Sequence, residues 1–72
     1  MGRKGAGILP KAAVSRILVK AGAKRVSGDA AAALARFLEK KGVETGEIAV
    51  RRAMHAGRKT VKKEDVEAAV ES

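Results

Sequence analysis

Almost all the side-chain chemistry available to this chain is cationic. Sixteen Lys and Arg stand against eight Asp and Glu in 72 residues, a formal charge of +8. Seven of the cations, Arg3, Lys4, Lys11, Arg16, Lys20, Lys24 and Arg25, come before the first acid, Asp29. A second basic run, Arg58-Lys59-Thr60-Val61-Lys62, follows Gly57. Positive charge grouped in this way attracts a polyanion, either nucleic acid or an anionic membrane surface. The plainer role for such residues is a solvated face that keeps the molecule soluble.

Other chemistry is poorly provided for. The chain has no cysteine and no tyrosine, a single histidine at His55, and no acidic pair beside a base, so neither proton transfer nor nucleophilic attack has its usual groups. We expect no enzyme, no metal site and no cofactor. Gly57-Arg58-Lys59-Thr60 echoes the end of a phosphate-binding loop, but Arg52 occupies the place of the first glycine and the run follows a helix instead of opening one. No apolar run approaches the roughly 20 residues of a membrane span, and the opening Met-Gly-Arg-Lys-Gly-Ala has no signal-peptide core. With one Phe and no Trp or Tyr, interfacial anchors for a membrane surface are missing as well. The same shortage leaves single-stranded RNA without a stacking platform beyond Phe37, which we place in the core. The expected setting is therefore the cytoplasm, in a reducing compartment.

The cations must be positioned by helices. From Ser27 to Gly57 a stripe recurs near a 3.6-residue period, apolar at Ala30, Ala33, Leu34, Phe37, Leu38, Ile48, Ala49, Ala53 and Ala56 with the polar Thr45 on the same line, and charges stand between. Ser27 suits the N-cap, Asp29 the first turn, and Gly57 the stop. A helix of that length runs roughly 43 Å at about 1.5 Å per residue, whereas a compact chain of this size spans only about 30 Å. A second chain is the simplest cover for both halves of its stripe, so we expect an obligate dimer. Gly42 and Gly46 each cost about 1 kcal/mol in a helix interior. Their spacing with Ala49 instead favours a smooth face where two long helices can cross, and we read the helix as continuous.

Shorter helices flank it. Pro10 fits a first turn, Val14, Ile17, Leu18 and Ala21 make an apolar stripe, and Gly22 supplies a stop. Beyond the second basic connector, Glu64 and Asp65 favour the start of a last helix with Val66, Ala69 and Val70 on its stripe. The connectors Lys24-Arg25-Val26-Ser27 and Arg58-Lys59-Thr60-Val61-Lys62 each carry a β-branched residue and are candidates for a minimal β-bridge. Residues 1–7 form a flexible basic tail and residues 8–72 a single all-α domain: short helix, long central helix, short helix. At this size a lone core is marginal, and association commonly supplies the missing burial.

Two separated motifs carry a resemblance. His55-Ala56-Gly57-Arg58-Lys59-Thr60-Val61-Lys62-Lys63-Glu64-Asp65-Val66, together with Leu9-Pro10 and Ala21-Gly22-Ala23-Lys24-Arg25-Val26-Ser27 in matching register, resembles an archaeal histone over about residues 8–72. The resemblance implies the histone fold, with two chains clasped head to tail in a handshake dimer that bends double-stranded DNA. It implies that Arg25 enters the minor groove, that Lys59 and Thr60 touch phosphate, and that Arg16 steadies a central contact, with Lys20 and Lys24 adding to the basic surface. Arg58 and Asp65 would form a structural ion pair. Contact between dimers would involve Arg52, His55 and Asp65, and the protein would sit on the chromosome.

Three positions depart from that family pattern. Arg52 replaces a bulky apolar residue at the dimer-to-dimer contact, and Lys41 and Thr45 replace apolar residues near the helix crossing. We therefore expect a firm homodimer and a weaker tetramer, with higher oligomers on DNA. The alternative function is a histone-fold subunit of a heteromeric transcription complex. Basic residues at all three DNA contacts argue against that alternative.

Overall fold

The computed structural model describes residues 8–72; the tail expected for residues 1–7 lies outside them. Three helices follow in order, α1 (Lys11–Lys20), α2 (Gly28–His55) and α3 (Lys63–Glu71). Among the described residues there is no strand and no β-bridge, so the β-pairing expected of the connectors is not seen. The all-α order of short, long and short helices stands as expected.

α2 is continuous for 28 residues, roughly 42 Å. Gly42 and Gly46 do not interrupt it, and a methyl built on either would meet no atom within 4 Å. Its start is fixed by Ser27, whose Oγ accepts the Ala30 N–H at 3.1 Å, satisfying one of the unpaired donors of the first turn. Its end is fixed by Gly57 at φ 74°, a left-handed conformation that a Cβ would strain. There the Gly57 N–H donates to the Met54 carbonyl at 2.9 Å and the Arg58 N–H to the Ala53 carbonyl at 2.9 Å, the paired closure of a Schellman motif.

α1 ends in the same way. Gly22 has φ 120°, its N–H donates to the Val19 carbonyl at 2.9 Å, and the Ala23 N–H donates to the Leu18 carbonyl at 3.0 Å. Pro10 sits one residue before α1, as its extended N-cap, and not inside the first turn.

The chain divides at the middle of α2 into two units, one ending at Lys40 and the other running from Lys41 to Ser72. In the first, Val14 of α1 is buried together with Ala31 and Ala35 of α2. The Ile8 N–H also donates to Glu39 Oε1 at 3.1 Å, tying the segment before α1 to α2. In the second, Ala49 and Ala53 of α2 are buried with Asp65 and Ala69 of α3. Alanines four apart leave a shallow line on which a short helix can settle closely.

This corrects several burial expectations. In the first half of α2 the buried line is Ala31 and Ala35, one residue from the expected stripe; Leu34 and Leu38 are half-buried, and Ala30 and Ala33 are exposed. Phe37, expected in the core, is 55% exposed. In α1, Val14 is buried but Ile17 is exposed and Leu18 only half-buried. In α3 the inward pair is Asp65 and Ala69, while Val66 and Val70 stay on the surface. The physical reason is coverage. A ten-residue and a nine-residue helix shield only narrow strips, and close approach selects small side chains for those strips, leaving the larger apolar groups uncovered on a single protomer.

Candidate nucleic-acid interface

In the first unit the cations lie on α1 and the connector after it. Lys11, Arg16, Lys20, Lys24 and Arg25 are all exposed. Arg16 and Lys20 are four residues apart and so share one side of α1. No acid stands in the first turn of α1 and no side chain caps it, so its leading N–H groups remain unsatisfied by side chains. Such an end, with positive dipole and free donors, suits a phosphate oxygen. Lys24 and Arg25 fall between the Schellman closure at Gly22 and the Ser27 cap, both of which fix the backbone direction on either side of them.

In the second unit the connector is organised by one guanidinium. Arg58 Nη1 donates to Asp65 Oδ2 at 2.9 Å and Nη2 to Asp65 Oδ1 at 3.1 Å. Nη1 also donates to the Thr60 carbonyl at 2.9 Å. The Lys62 N–H donates to Asp65 Oδ2 at 2.8 Å, so Asp65 also secures the start of α3 from the third helical position. Lys62 has no side-chain acceptor and cannot reciprocate. The Asp65 N–H goes instead to the Lys62 carbonyl at 2.9 Å. With the backbone thus tied at residues 58, 60, 62 and 65, the side chains of Lys59 and Thr60 are left exposed.

Asp65 is only 2% exposed. Its bonds to Arg58 and to the Lys62 amide stabilise the carboxylate and lower its pKa from 3.8 to about 2, with the charges of Arg58 and Arg52 reinforcing the effect. Arg58, in turn, is raised above its ordinary value by the bond to Asp65. The pair expected from the sequence is thus present. Arg52 and His55 are exposed on the last turns of α2. Asp65 faces inward, with three hydrogen bonds already accepted at its two oxygens.

The structure places Arg16, Lys20, Lys24 and Arg25 together in the first unit and Lys59 and Thr60 in the second. Sequence reasoning missed the Thr60 carbonyl as a partner of Arg58, the Asp65 cap on Lys62, and the Ile8–Glu39 tie. The second had a legible signal, an acid three residues after the residue that opens a helix. The other two depend on backbone geometry that no side-chain pattern encodes. Among the described residues no group of His, Cys, Asp and Glu is placed to hold a metal ion. Among them, too, no helix is long and apolar enough to cross a membrane.

The sequence also matches known proteins. Residues 8–70 match the sequence model of the family described as histone-like transcription factor (CBF/NF-Y) and archaeal histone. The chain is 56% identical over 64 residues to one subunit of the archaeal histone HAN1 of Thermococcus zilligii, an alignment covering 89% of this chain and 96% of that protein. It is 52% identical over 62 residues to probable archaeal histone 3 of Methanocaldococcus jannaschii, covering 86% of this chain and 92% of the relative.

Proposed function

We propose that this chain, which belongs to the family of histone-like transcription factors and archaeal histones, dimerises and bends double-stranded DNA as a chromosome-associated packaging protein. The observation that carries this reading is the exposure of five cations on α1 and its connector, next to a helix start that has neither acid nor cap. Arg25 enters the minor groove, Lys59 and Thr60 meet phosphate, and Arg16 holds the central contact with Lys20 and Lys24 beside it. None of these groups reads base identity, so sequence preference arises only through the ease of bending the duplex. Histone octamers hold DNA by the same physical logic, with arginines in the minor groove and helix dipoles on phosphate.

The dimer is a homodimer clasped along α2. What supports it is the apolar surface a single protomer leaves open, including Phe37, Val43, Val50 and Met54 on α2 and Val66 and Val70 on α3. Between dimers, Arg52 side chains facing one another weaken any contact built on His55 and Asp65, so the protein without DNA is a firm dimer and only a weak tetramer. The relative from Thermococcus zilligii is named as one subunit of a histone, and that motivates the second reading, a chain that works in a heteromeric complex.

Nuclease digestion of complexes reconstituted on duplex DNA tests the function. Protected fragments of discrete length are expected, with affinity falling as salt rises at a log-log slope of about −0.9 per phosphate neutralised. Uniform digestion with no protection would refute it. Native mass spectrometry of the protein alone separates the homodimer from a chain that needs a different partner.

A further inference from the structure

We propose that Glu39 is a positioning residue for the duplex contact of α1: by holding the main chain at Ile8 it sets where the first helix begins, and hence where Lys11 and Arg16 present their charge. The inference rests on the duplex-binding reading above. Glu39 Oε1 accepts the Ile8 N–H at 3.1 Å, a bond between residues 31 apart in the sequence. Among the described residues no other side-chain hydrogen bond joins α1 or its approach to α2.

Local sequence gives Glu39 a nearer partner. Arg36 stands three residues before it on the same helix, a spacing at which opposite charges ordinarily pair, and Lys40 follows it. Yet Glu39 enters none of the ion pairs among the described residues, which join Lys41 to Glu44, Arg58 to Asp65 and Lys63 to Glu67. It is also half-buried, whereas the other acids of α2 except the last-mentioned helix's own, Asp29, Glu44 and Glu47, are exposed. Its place on the helix explains both. Ala31, Ala35 and Glu39 follow one another at four-residue spacing, so Glu39 continues the line with which Val14 is buried. α1 is closed at its far end by Gly22 and packed by Val14, while its approach, Ile8 to Pro10, is exposed and is tied back to α2 by Glu39.

The charge of Glu39 opposes the role of its oxygen. A carboxylate on a protein that binds a polyanion repels the ligand, so on charge alone its removal tightens binding. Positioning has the opposite sign. An α1 start released from α2 adopts the binding geometry for only part of the time, and the apparent affinity falls by that fraction.

Three substitutions separate the acceptor from the charge. Glu39→Gln keeps an accepting oxygen and removes the charge, Glu39→Asp keeps the charge and draws the oxygen back by one methylene, and Glu39→Ala removes both. Duplex affinity is read by fluorescence anisotropy at one salt concentration, at a temperature where circular dichroism shows each protein folded. Glu39→Gln is expected to bind at least as tightly as wild type, and Glu39→Asp and Glu39→Ala about fivefold more weakly, the worth of one net hydrogen bond. Trypsin is expected to cut the free protein after Lys11 faster in the two weak binders than in wild type or Glu39→Gln. Glu39→Ala or Glu39→Asp binding as tightly as wild type, Glu39→Gln binding as weakly as Glu39→Ala, or equal cleavage in all four proteins overturns the proposal. Wild-type protein that leaves the duplex unbound refutes the underlying reading instead. Should Glu39→Ala melt too low to be measured, Glu39→Gln against Glu39→Asp decides by the same criteria.

Discussion

Arg58 and Asp65 meet edge to edge, two guanidinium nitrogens on two carboxylate oxygens at 2.9 and 3.1 Å, across a connector that carries the exposed Lys59 and Thr60. The pair fixes geometry and leaves its neighbours free. Arg58 completes the arrangement by holding the Thr60 carbonyl. Removing Arg58 should therefore act first on stability and only then on ligand binding.

Acid should undo this pair in a defined window. Asp65 has its carboxylate pKa lowered from 3.8 to about 2 in the fold, so its contribution is fully present above the unfolded value and disappears as pH falls through the folded one. Thermal melts followed by circular dichroism are expected to show stability lost between about pH 4 and pH 2 from this group. Asp65→Asn should melt lower at neutral pH and lose the part of the acid dependence that comes from this site. An unchanged acid profile in the variant would show that the pair does not govern it.

Loss of a connector cation should weaken duplex binding without changing preference. Arg25→Ala and Lys59→Ala are each expected to lower affinity alike on unrelated sequences and to reduce the salt slope by about 0.9. Fluorescence anisotropy on two duplexes of different composition, across a salt series, checks both. A loss confined to one sequence would mean direct base readout.

The helix closures make a contrasting pair of glycine predictions. Gly57→Ala forces a Cβ into φ 74° and should cost about 1–2 kcal/mol. Gly42→Ala meets no neighbour within the protomer and would add about 1 kcal/mol of helix preference there, but at the crossing of a dimer clasped along α2 the methyl is expected to cost more than it adds. Denaturant unfolding measures both. A loss at Gly42 would place a partner helix within a methyl's width of that position.

Ser27→Ala removes the side-chain partner of the Ala30 N–H and should cost about 1 kcal/mol. Ser27→Asp should retain most of that stability, since its carboxylate also accepts and favours the helix start. Equal melting of all three proteins would show that water serves the donor as well as Ser27 does.

Much of the fold was legible because its punctuation is local. Ser27, Gly22 and Gly57 do what their residue types do at helix ends, and the Arg58–Asp65 pair follows from the resemblance. Burial was harder. The periodic stripe over Ala30 to Ala56 includes large apolar residues, yet a short helix settles on the smallest line nearby, Ala31 and Ala35, and leaves Phe37 outside. Asp65 was another surprise: a charged residue takes the inward position of α3 because Arg58 and the Lys62 amide satisfy it there. Periodicity counts apolar residues; it does not know which of them a short neighbour can reach.

Both α1 and α2 finish with main-chain hydrogen bonds running back from Gly22, Ala23, Gly57 and Arg58. Lysines and arginines near a helix end often fold onto its last carbonyls, but here those oxygens at Leu18, Val19, Ala53 and Met54 are already occupied. Lys20, Lys24, Arg25 and Lys59 are thereby released from serving their own backbone. Two glycines that never touch an anion thus determine how much positive charge the surface can extend toward one.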